Sequence, residues 1–229
     1  MKQVLVKNVD LAGASGRAVT IDPPPTPSQI EDLEARCGAL PAEVHELAEY
    51  SGGFSVGDIR VSLRGDILFE FQPVFEFGVA VATDGHGNFW VVDVEPNGVW
   101  GAVFLVAHDP PVLILQARDL ATFLVEVFDP QSTVRLGVDA TAGIWNSNPY
   151  VVSRAQGLAS SDRALRMFAA GLDDKFEIAD LRDKREGAGF VWGSAGPDTE
   201  IRRAGGELLF AVERKVKKRG LLARLLARA

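Results

Sequence analysis

The sequence predicts an α+β fold, in which helices flank an antiparallel sheet, with an N-terminal hairpin and a C-terminal α/β extension. Three features predict it. A helix pair occupies residues 26–50, strand-like segments joined by short connectors follow from Asp58 to Gln116, and an amphipathic helix closes the unit at Asp119–Phe128. Connectors this short favour antiparallel neighbours over strand–helix–strand crossovers. We therefore expect a meander of strands covered by helices.

The first 23 residues are predicted to form the hairpin. Residues 3–9 and 17–21 alternate apolar with polar side chains, are rich in β-branched residues and are separated by a Gly-rich turn, the pattern of two paired strands. The proline run Asp22–Pro27 is expected to be a connector, because proline supplies no N–H to a sheet.

Two short helices are predicted next. Thr26, Pro27 and Gln29 form a capping-box pattern with proline at the first helical position, which marks a helix start. An apolar face at helical spacing and a terminal glycine follow: Ile30, Leu33, Cys37 and Gly38. The second helix is expected over Pro41–Tyr50, and Gly52–Gly53 end it.

Six strands are predicted in the meander from their apolar and β-branched content. They are Ile59–Leu63, Ile67–Phe71, Phe75–Thr83, Phe89–Val94, Ala102–Ala107 and Val112–Gln116. The closing helix presents one apolar face, made of Leu120, Phe123, Leu124 and Val127.

Weaker patterns follow Asp129. They predict a helix over Ser161–Leu172, a strand at Phe190–Trp192, a strand pair over Glu200–Glu213 folded at Gly205–Gly206, and a short amphipathic helix at Gly220–Ala229. The chain is thus divided into a hairpin (1–23), a central domain (24–128) and an extension with a basic tail (129–229).

Charge is distributed unevenly. Residues 1–150 carry 20 acidic and 8 basic side chains, whereas residues 151–229 carry 11 acidic and 16 basic ones. The acidic front is expected to repel DNA and to attract a basic partner.

The single cysteine suits a reducing compartment, and we find neither a secretory signal nor an apolar run of roughly 20 residues. We therefore expect a cytoplasmic protein.

Three local patterns could suggest catalysis or metal binding, but each is better explained as an ordinary structural feature. Gly53–Gly57 matches G-x-S-x-G, but a helix rather than a strand is predicted before Ser55, so a glycine-rich helix end is favoured. Asp84, Asn88 and Glu95 have the spacing of calcium-loop ligands, but the position that requires glycine holds Phe89, which favours a turn between strands. Cys37 is expected in the core. The sequence predicts no catalytic residue, metal site or cofactor.

Three segments resemble a known family. ALPAEVHELAEYSGGF (Ala39–Phe54) resembles the Leu-Pro helix ending in Gly-Gly of the SUKH superfamily (Smi/Knr-type proteins). TDGHGNFWVVDV (Thr83–Val94) is similar to its Gly-rich turn and aromatic strand, and Val103–Phe128 to its last hairpin and closing helix. The resemblance covers residues 24–128. It implies a non-enzymatic protein-binding fold, used by bacterial members as immunity proteins against toxins, often nucleases, and by fungal members in cell-wall signalling.

The residues and the resemblance together predict an immunity protein that neutralises a basic toxin domain by occlusion. The predicted partner-binding residues lie on the acidic meander and its turn: Asp84, His86, Asn88, Asp93, Glu95 and Asp109. The alternative is a regulatory scaffold of cell-envelope or signalling complexes that docks through the basic tail Arg214–Ala229. Membrane or RNA contact by that tail is less favoured than docking on the acidic front. An enzyme pocket around Trp145, Asn146, Asn148 and Tyr150 is the least favoured possibility.

Overall fold

The structure of the protein, a computed structural model, describes residues 1–14, 16–67, 74–129, 133–196 and 198–214. The helices in these residues are α1 (Lys2–Ala14), α2 (Pro27–Cys37), α3 (Ala42–Tyr50), α4 (Leu120–Phe128), α5 (Thr133–Ser147), α6 (Arg154–Leu158) and α7 (Arg163–Ala170). The strands are β1 (Val19–Asp22), β2 (Gly53–Val56), β3 (Ile59–Ser62), β4 (Val79–Thr83), β5 (Phe89–Val94), β6 (Trp100–Val106), β7 (Val112–Ala117), β8 (Val151–Ser153), β9 (Phe176–Asp180), β10 (Gly189–Val191), β11 (Ile201–Arg203) and β12 (Leu209–Glu213).

The strands form two antiparallel sheets. The larger sheet has the order β1-β2-β3-β4-β5-β6-β7-β10, and the smaller sheet has the order β11-β12-β9-β8. Every pair of neighbours is antiparallel. The predicted α+β class is confirmed.

Side-chain alternation along the strands divides the apolar residues into three layers. Trp90 and Val92 of β5 face a core shared with helices α1–α5, whereas Val91 of the same strand faces the smaller sheet. Phe210 of β12 belongs to the same apolar layer as Val91, between the two sheets. Its neighbour Leu209 packs on the opposite side of the smaller sheet against α7. The molecule therefore stacks helices, larger sheet, smaller sheet and helices in that order.

The start of α2 confirms the predicted capping box. The Thr26 hydroxyl accepts a hydrogen bond from the Gln29 backbone N–H at 3.3 Å, and the Gln29 side chain accepts one from the Thr26 N–H at 2.9 Å. Cys37 ends the helix inside the core, as predicted, and its thiol donates to the Leu33 carbonyl at 3.2 Å. Burial raises the pKa of the Cys37 thiol, which keeps the nucleophilic thiolate scarce.

The prediction of an N-terminal hairpin is wrong. Residues 2–14 form helix α1, and only the second predicted strand exists, as β1 paired with β2. Leu5 and Ala12 are buried, with Val9 packed beside them, and this i, i+4, i+7 spacing is helical. The alternating β-branched pattern was misleading because packing of the helix on α3 and α4 outweighs local strand propensity.

Other boundaries differ in detail. The predicted strand Phe75–Thr83 begins only at Val79, since a turn closed by a Gly78 N–H to Phe75 carbonyl bond of 3.0 Å precedes it. Ile67 is not in a strand, and the rest of the predicted Ile67–Phe71 strand lies outside the described residues, as does the predicted helix Gly220–Ala229.

The C-terminal extension shares its cores with the central domain. Strand β10 pairs with β7 at the edge of the larger sheet, and α5 packs on both strands. The Asn148 side chain accepts a hydrogen bond from the Val191 N–H at 3.1 Å, and Trp192 donates to the Ala107 carbonyl at 3.1 Å. The described residues after 129 therefore cover both faces of the larger sheet.

Candidate functional site

The six predicted partner-binding residues lie in three different places. Successive hairpin turns of an antiparallel meander alternate between the two ends of the sheet. The β4–β5 turn (84–88) and the β6–β7 turn (107–111) therefore share one end, called here the Asp84 end, and the β5–β6 turn (95–99) lies at the other, the Glu95 end. Strand β5 has six residues, so it separates the two ends by roughly 20 Å.

At the Asp84 end, Asp84 organises its own turn. Its carboxylate accepts hydrogen bonds from the backbone N–H groups of His86 at 2.8 Å and Asn88 at 3.2 Å, and from the Asn88 amide at 2.6 Å. Asn88 in turn accepts from the His108 N–H at 3.3 Å, which ties the two turns together. The His86 and Asp109 side chains are exposed beside them. Asp84 and Asn88 thus have a clear structural role.

Replacing Asp84 by alanine is expected to lower the free energy of unfolding by about 1–2 kcal/mol, because two backbone donors and one amide lose a charged acceptor. Urea unfolding followed by circular dichroism measures the change. His86→Ala is the matched control: it keeps the backbone donor and removes an exposed side chain, so its effect should stay within about 0.5 kcal/mol. Equal effects of the two substitutions would contradict the role given to Asp84.

Asp93 requires a correction, because it is not on an exposed acidic surface. It is 8% exposed and points from β5 toward the smaller sheet. Both of its carboxylate oxygens accept hydrogen bonds from the Arg203 guanidinium, each at 2.6 Å. A bidentate pair of this kind neutralises the acid within the chain. Asp93 therefore joins the two sheets.

A cleft of about 440 Å³ opens at the Glu95 end, beside this ion pair. Three segments form its walls: the end of β5 with the start of its turn, the segment that precedes β4, and the β11–β12 turn. The lining residues are Val74, Glu76, Phe77, Asp93, Val94, Glu95, Pro96, Arg203, Gly205 and Gly206.

The charge of the cleft is negative. Glu76 and Glu95 are exposed, and within the described part of the chain neither forms an ion pair. Glu95 accepts one hydrogen bond, from the Asn97 amide at 3.3 Å. Since Asp93 and Arg203 neutralise each other, the two glutamates carry the net charge, and a cation is favoured over an anion there.

Arg203 holds the three walls together. Besides binding Asp93, its guanidinium donates to three backbone carbonyls: from Nη1 to Val74 at 3.4 Å, from Nη2 to Gly206 at 3.0 Å and from Nε to Glu207 at 2.9 Å. It also lies over the Phe210 ring, 5.5 Å from the centroid. One planar side chain with several donors thus fixes β5, the segment before β4 and the β11–β12 turn relative to one another.

The β5–β6 turn next to the cleft is internally braced. The Gly98 N–H donates to the Glu95 carbonyl at 2.8 Å, the Glu95 N–H to the Val99 carbonyl at 2.9 Å, and the Val99 N–H to the Asn97 side chain at 3.0 Å. Gly98 also packs against the α2–α3 junction. A Cβ atom added to Gly38 would lie only 3.5 Å from the Gly98 Cα, so the two backbones are in close contact. Val99 remains 52% exposed at the tip. The turn is therefore a rigid support for an exposed apolar side chain.

Sequence reasoning included Asp93 and Glu95 but missed Phe77 and Arg203 as parts of this site. A signal was present: by alternation Asp93 shares one face of its strand with Phe89 and Val91, while Trp90, Val92 and Val94 make the other face apolar too. A charged residue on the inward face of such a strand requires a buried partner of opposite charge. What the pattern lacks is the identity of that partner, 110 positions along the chain.

The structure also places the residues of the two motifs that suggested chemistry, the G-x-S-x-G match and the calcium-loop spacing. Ser55 lies inside β2, paired with Thr20 and Arg60, so Gly53–Gly57 is a strand and turn rather than the predicted helix end or a nucleophile elbow. Asp84 and Glu95 lie at opposite ends of β5, so they do not converge on one ion. Among the described residues, no group of three or more His, Cys, Asp or Glu side chains is arranged to hold a metal, and no helix has the length and apolarity to cross a membrane.

The fold and the cleft define an α+β protein built of two antiparallel sheets between helical layers, with an acidic opening where the sheets meet. No protein-family model matches the chain, and a search of curated proteins finds no relative.

Proposed function

We propose that this chain is a non-enzymatic, cytoplasmic protein-binding protein of the toxin-immunity type, which occludes a basic domain of its partner. The observation that carries the proposal is the acidic cleft at the Glu95 end beside a rigid, apolar turn. Glu76 and Glu95 supply negative charge that is not paired by any of the described residues, and Val99 supplies an exposed apolar contact. Interfaces commonly combine an apolar contact with a polar rim.

Preorganisation supports binding at this end of the molecule. The Arg203 hydrogen bonds and the braced β5–β6 turn hold the cleft walls without a partner. A surface that is already ordered loses little conformational entropy when it binds, so more of the contact energy remains as affinity. Negative charge also speeds the encounter with a basic domain.

The resemblance to SUKH proteins is the second support. Of the segments that carry it, Thr83–Val94 includes β5, whose end lines the cleft. The acidic front of the chain agrees with an immunity role against a basic toxin. The activity of the toxin is not encoded in these features, since inhibition by occlusion depends on the contacted surface.

Charge reversal tests the proposal. Glu76→Lys with Glu95→Lys should abolish capture of the partner from a nuclease-treated lysate of the native host, and should slow its association at low salt at least tenfold, since the steering charge is inverted. Asp58→Lys with Asp109→Lys is the matched control: both residues are exposed at the Asp84 end, and the change in net charge is identical.

Support requires one stoichiometric partner that is toxic when expressed alone and is neutralised by co-expression of this chain. Capture that survives the Glu76 and Glu95 substitutions, or that is lost only in the control variant, would contradict the cleft as the interface. Envelope or signalling proteins retained only through residues 214–229 would favour the scaffold alternative.

A further inference from the structure

The chemistry of the cleft defines what kind of group it receives, provided that the proposed function holds. We infer that the cleft takes up one cationic side chain, a lysine or an arginine, projecting from the partner. The cleft volume of about 440 Å³ accommodates a single long side chain but not a folded segment. The partner residue would act as the central anchor of the interface.

The walls suit the aliphatic part of such a side chain. Phe77 and the exposed Pro96 contribute apolar side chains to the lining of the cleft. Lysine and arginine bury their methylene groups along apolar surface while the charged group reaches a polar partner. Phe77 is also aromatic and half-buried, and a cation that lay over its ring would be attracted by the ring electrons.

The charged end would meet the two glutamates. Glu76 and Glu95 form no ion pair with any residue that the structure describes, whereas the carboxylate of Asp93 is already bound by Arg203 at 2.6 Å through both oxygens. Arg203 is further retained by three backbone carbonyls, so an incoming cation does not displace it. The neutral pair forms part of the lining, and the incoming cation pairs with the carboxylates of Glu76 and Glu95.

Small probes test this inference without the partner. We would titrate the intact, ¹⁵N-labelled protein with Nα-acetyl-arginine methylamide, Nα-acetyl-lysine methylamide and the uncharged Nα-acetyl-citrulline methylamide, and follow amide chemical shifts. The arginine or lysine probe should shift the amides of Val94, Glu95, Gly205 and Gly206, with a Kd on the order of 1–10 mM. The stronger of the two identifies the preferred cation.

Glu76→Gln with Glu95→Gln should weaken probe binding at least tenfold, because both side chains lose their charge while their size is kept. Asp58→Asn with Asp109→Asn should leave it unchanged. The inference is overturned if citrulline binds as well as arginine, if the glutamine variant binds as tightly as the parent, or if the shifts fall on residues 84–88. A captured partner lost on charge reversal, together with no probe binding, would overturn this inference alone. Probe binding without any partner would support the cleft chemistry and overturn the proposed function.

Discussion

Replacing Arg203 by alanine is expected to lower the free energy of unfolding by about 3–5 kcal/mol. The substitution leaves Asp93 buried without its counter-ion, and removing one partner of a buried ion pair strands a desolvated charge. The side chains of Asp93 and Arg203 are only 11% and 12% exposed, and they are joined by two hydrogen bonds of 2.6 Å. The alanine variant also leaves the carbonyls of Val74, Gly206 and Glu207 without this donor.

Urea unfolding, followed by circular dichroism and tryptophan fluorescence, measures this loss. Arg60→Ala is the matched control, since Arg60 and Asp66 also approach to 2.6 Å but are 44% and 36% exposed; its cost should stay below about 1 kcal/mol. The double variant Asp93→Leu, Arg203→Met should recover most of the lost stability, because no charge is then left buried. An Arg203→Ala variant no less stable than Arg60→Ala would show that the pair does not join the sheets.

Replacing Phe210 by alanine is expected to cost about 3–5 kcal/mol, the usual range for emptying a filled aromatic site. Phe210 is 0% exposed. Its ring packs edge-on against Phe104 of the larger sheet, with centroids 6.4 Å apart, and is tilted against Phe190, with centroids 5.2 Å apart. The cavity would open between the two sheets, so the whole molecule should unfold earlier in one cooperative transition.

The two optical probes should give coincident unfolding curves in this variant, with the midpoint shifted together. Met167→Ala provides the control, because Met167 on α7 is 63% exposed and its loss should change stability by no more than about 0.5 kcal/mol. An early, separate transition would instead mean that residues after 129 fold independently of the central domain.

Local patterns account for the elements that the sequence predicted well. The capping box of α2 depends on residues three positions apart, and the strand Phe89–Val94 on its own alternation, so both are visible in a short window of sequence. The helix Leu120–Phe128 is likewise defined by its Asp119 cap and one apolar face. Neighbouring residues supply most of the interactions in these cases.

Longer-range contacts account for what was missed. Helix α1 has a strand-like sequence and exists because its buried face packs on α3 and α4. In the same way, strand β9 exists between β8 and β12, and its pairing partners lie far from it in sequence. Tertiary packing outweighs local propensity, which differs by less than about 1 kcal/mol per residue between most side chains.

In the candidate site, too, some features follow from local sequence and others from long-range contacts. By itself, the sequence determined the class of the fold, the caps and strands of its centre, the uneven charge and the presence of Asp93 on an apolar strand. Only the tertiary structure decided that Asp93 pairs with Arg203, that Glu95 lies at the opposite end of the sheet from Asp84, and that Glu95 shares a cleft with Glu76. These are relations between residues distant in sequence, and they depend on which faces and ends the folded sheets bring together.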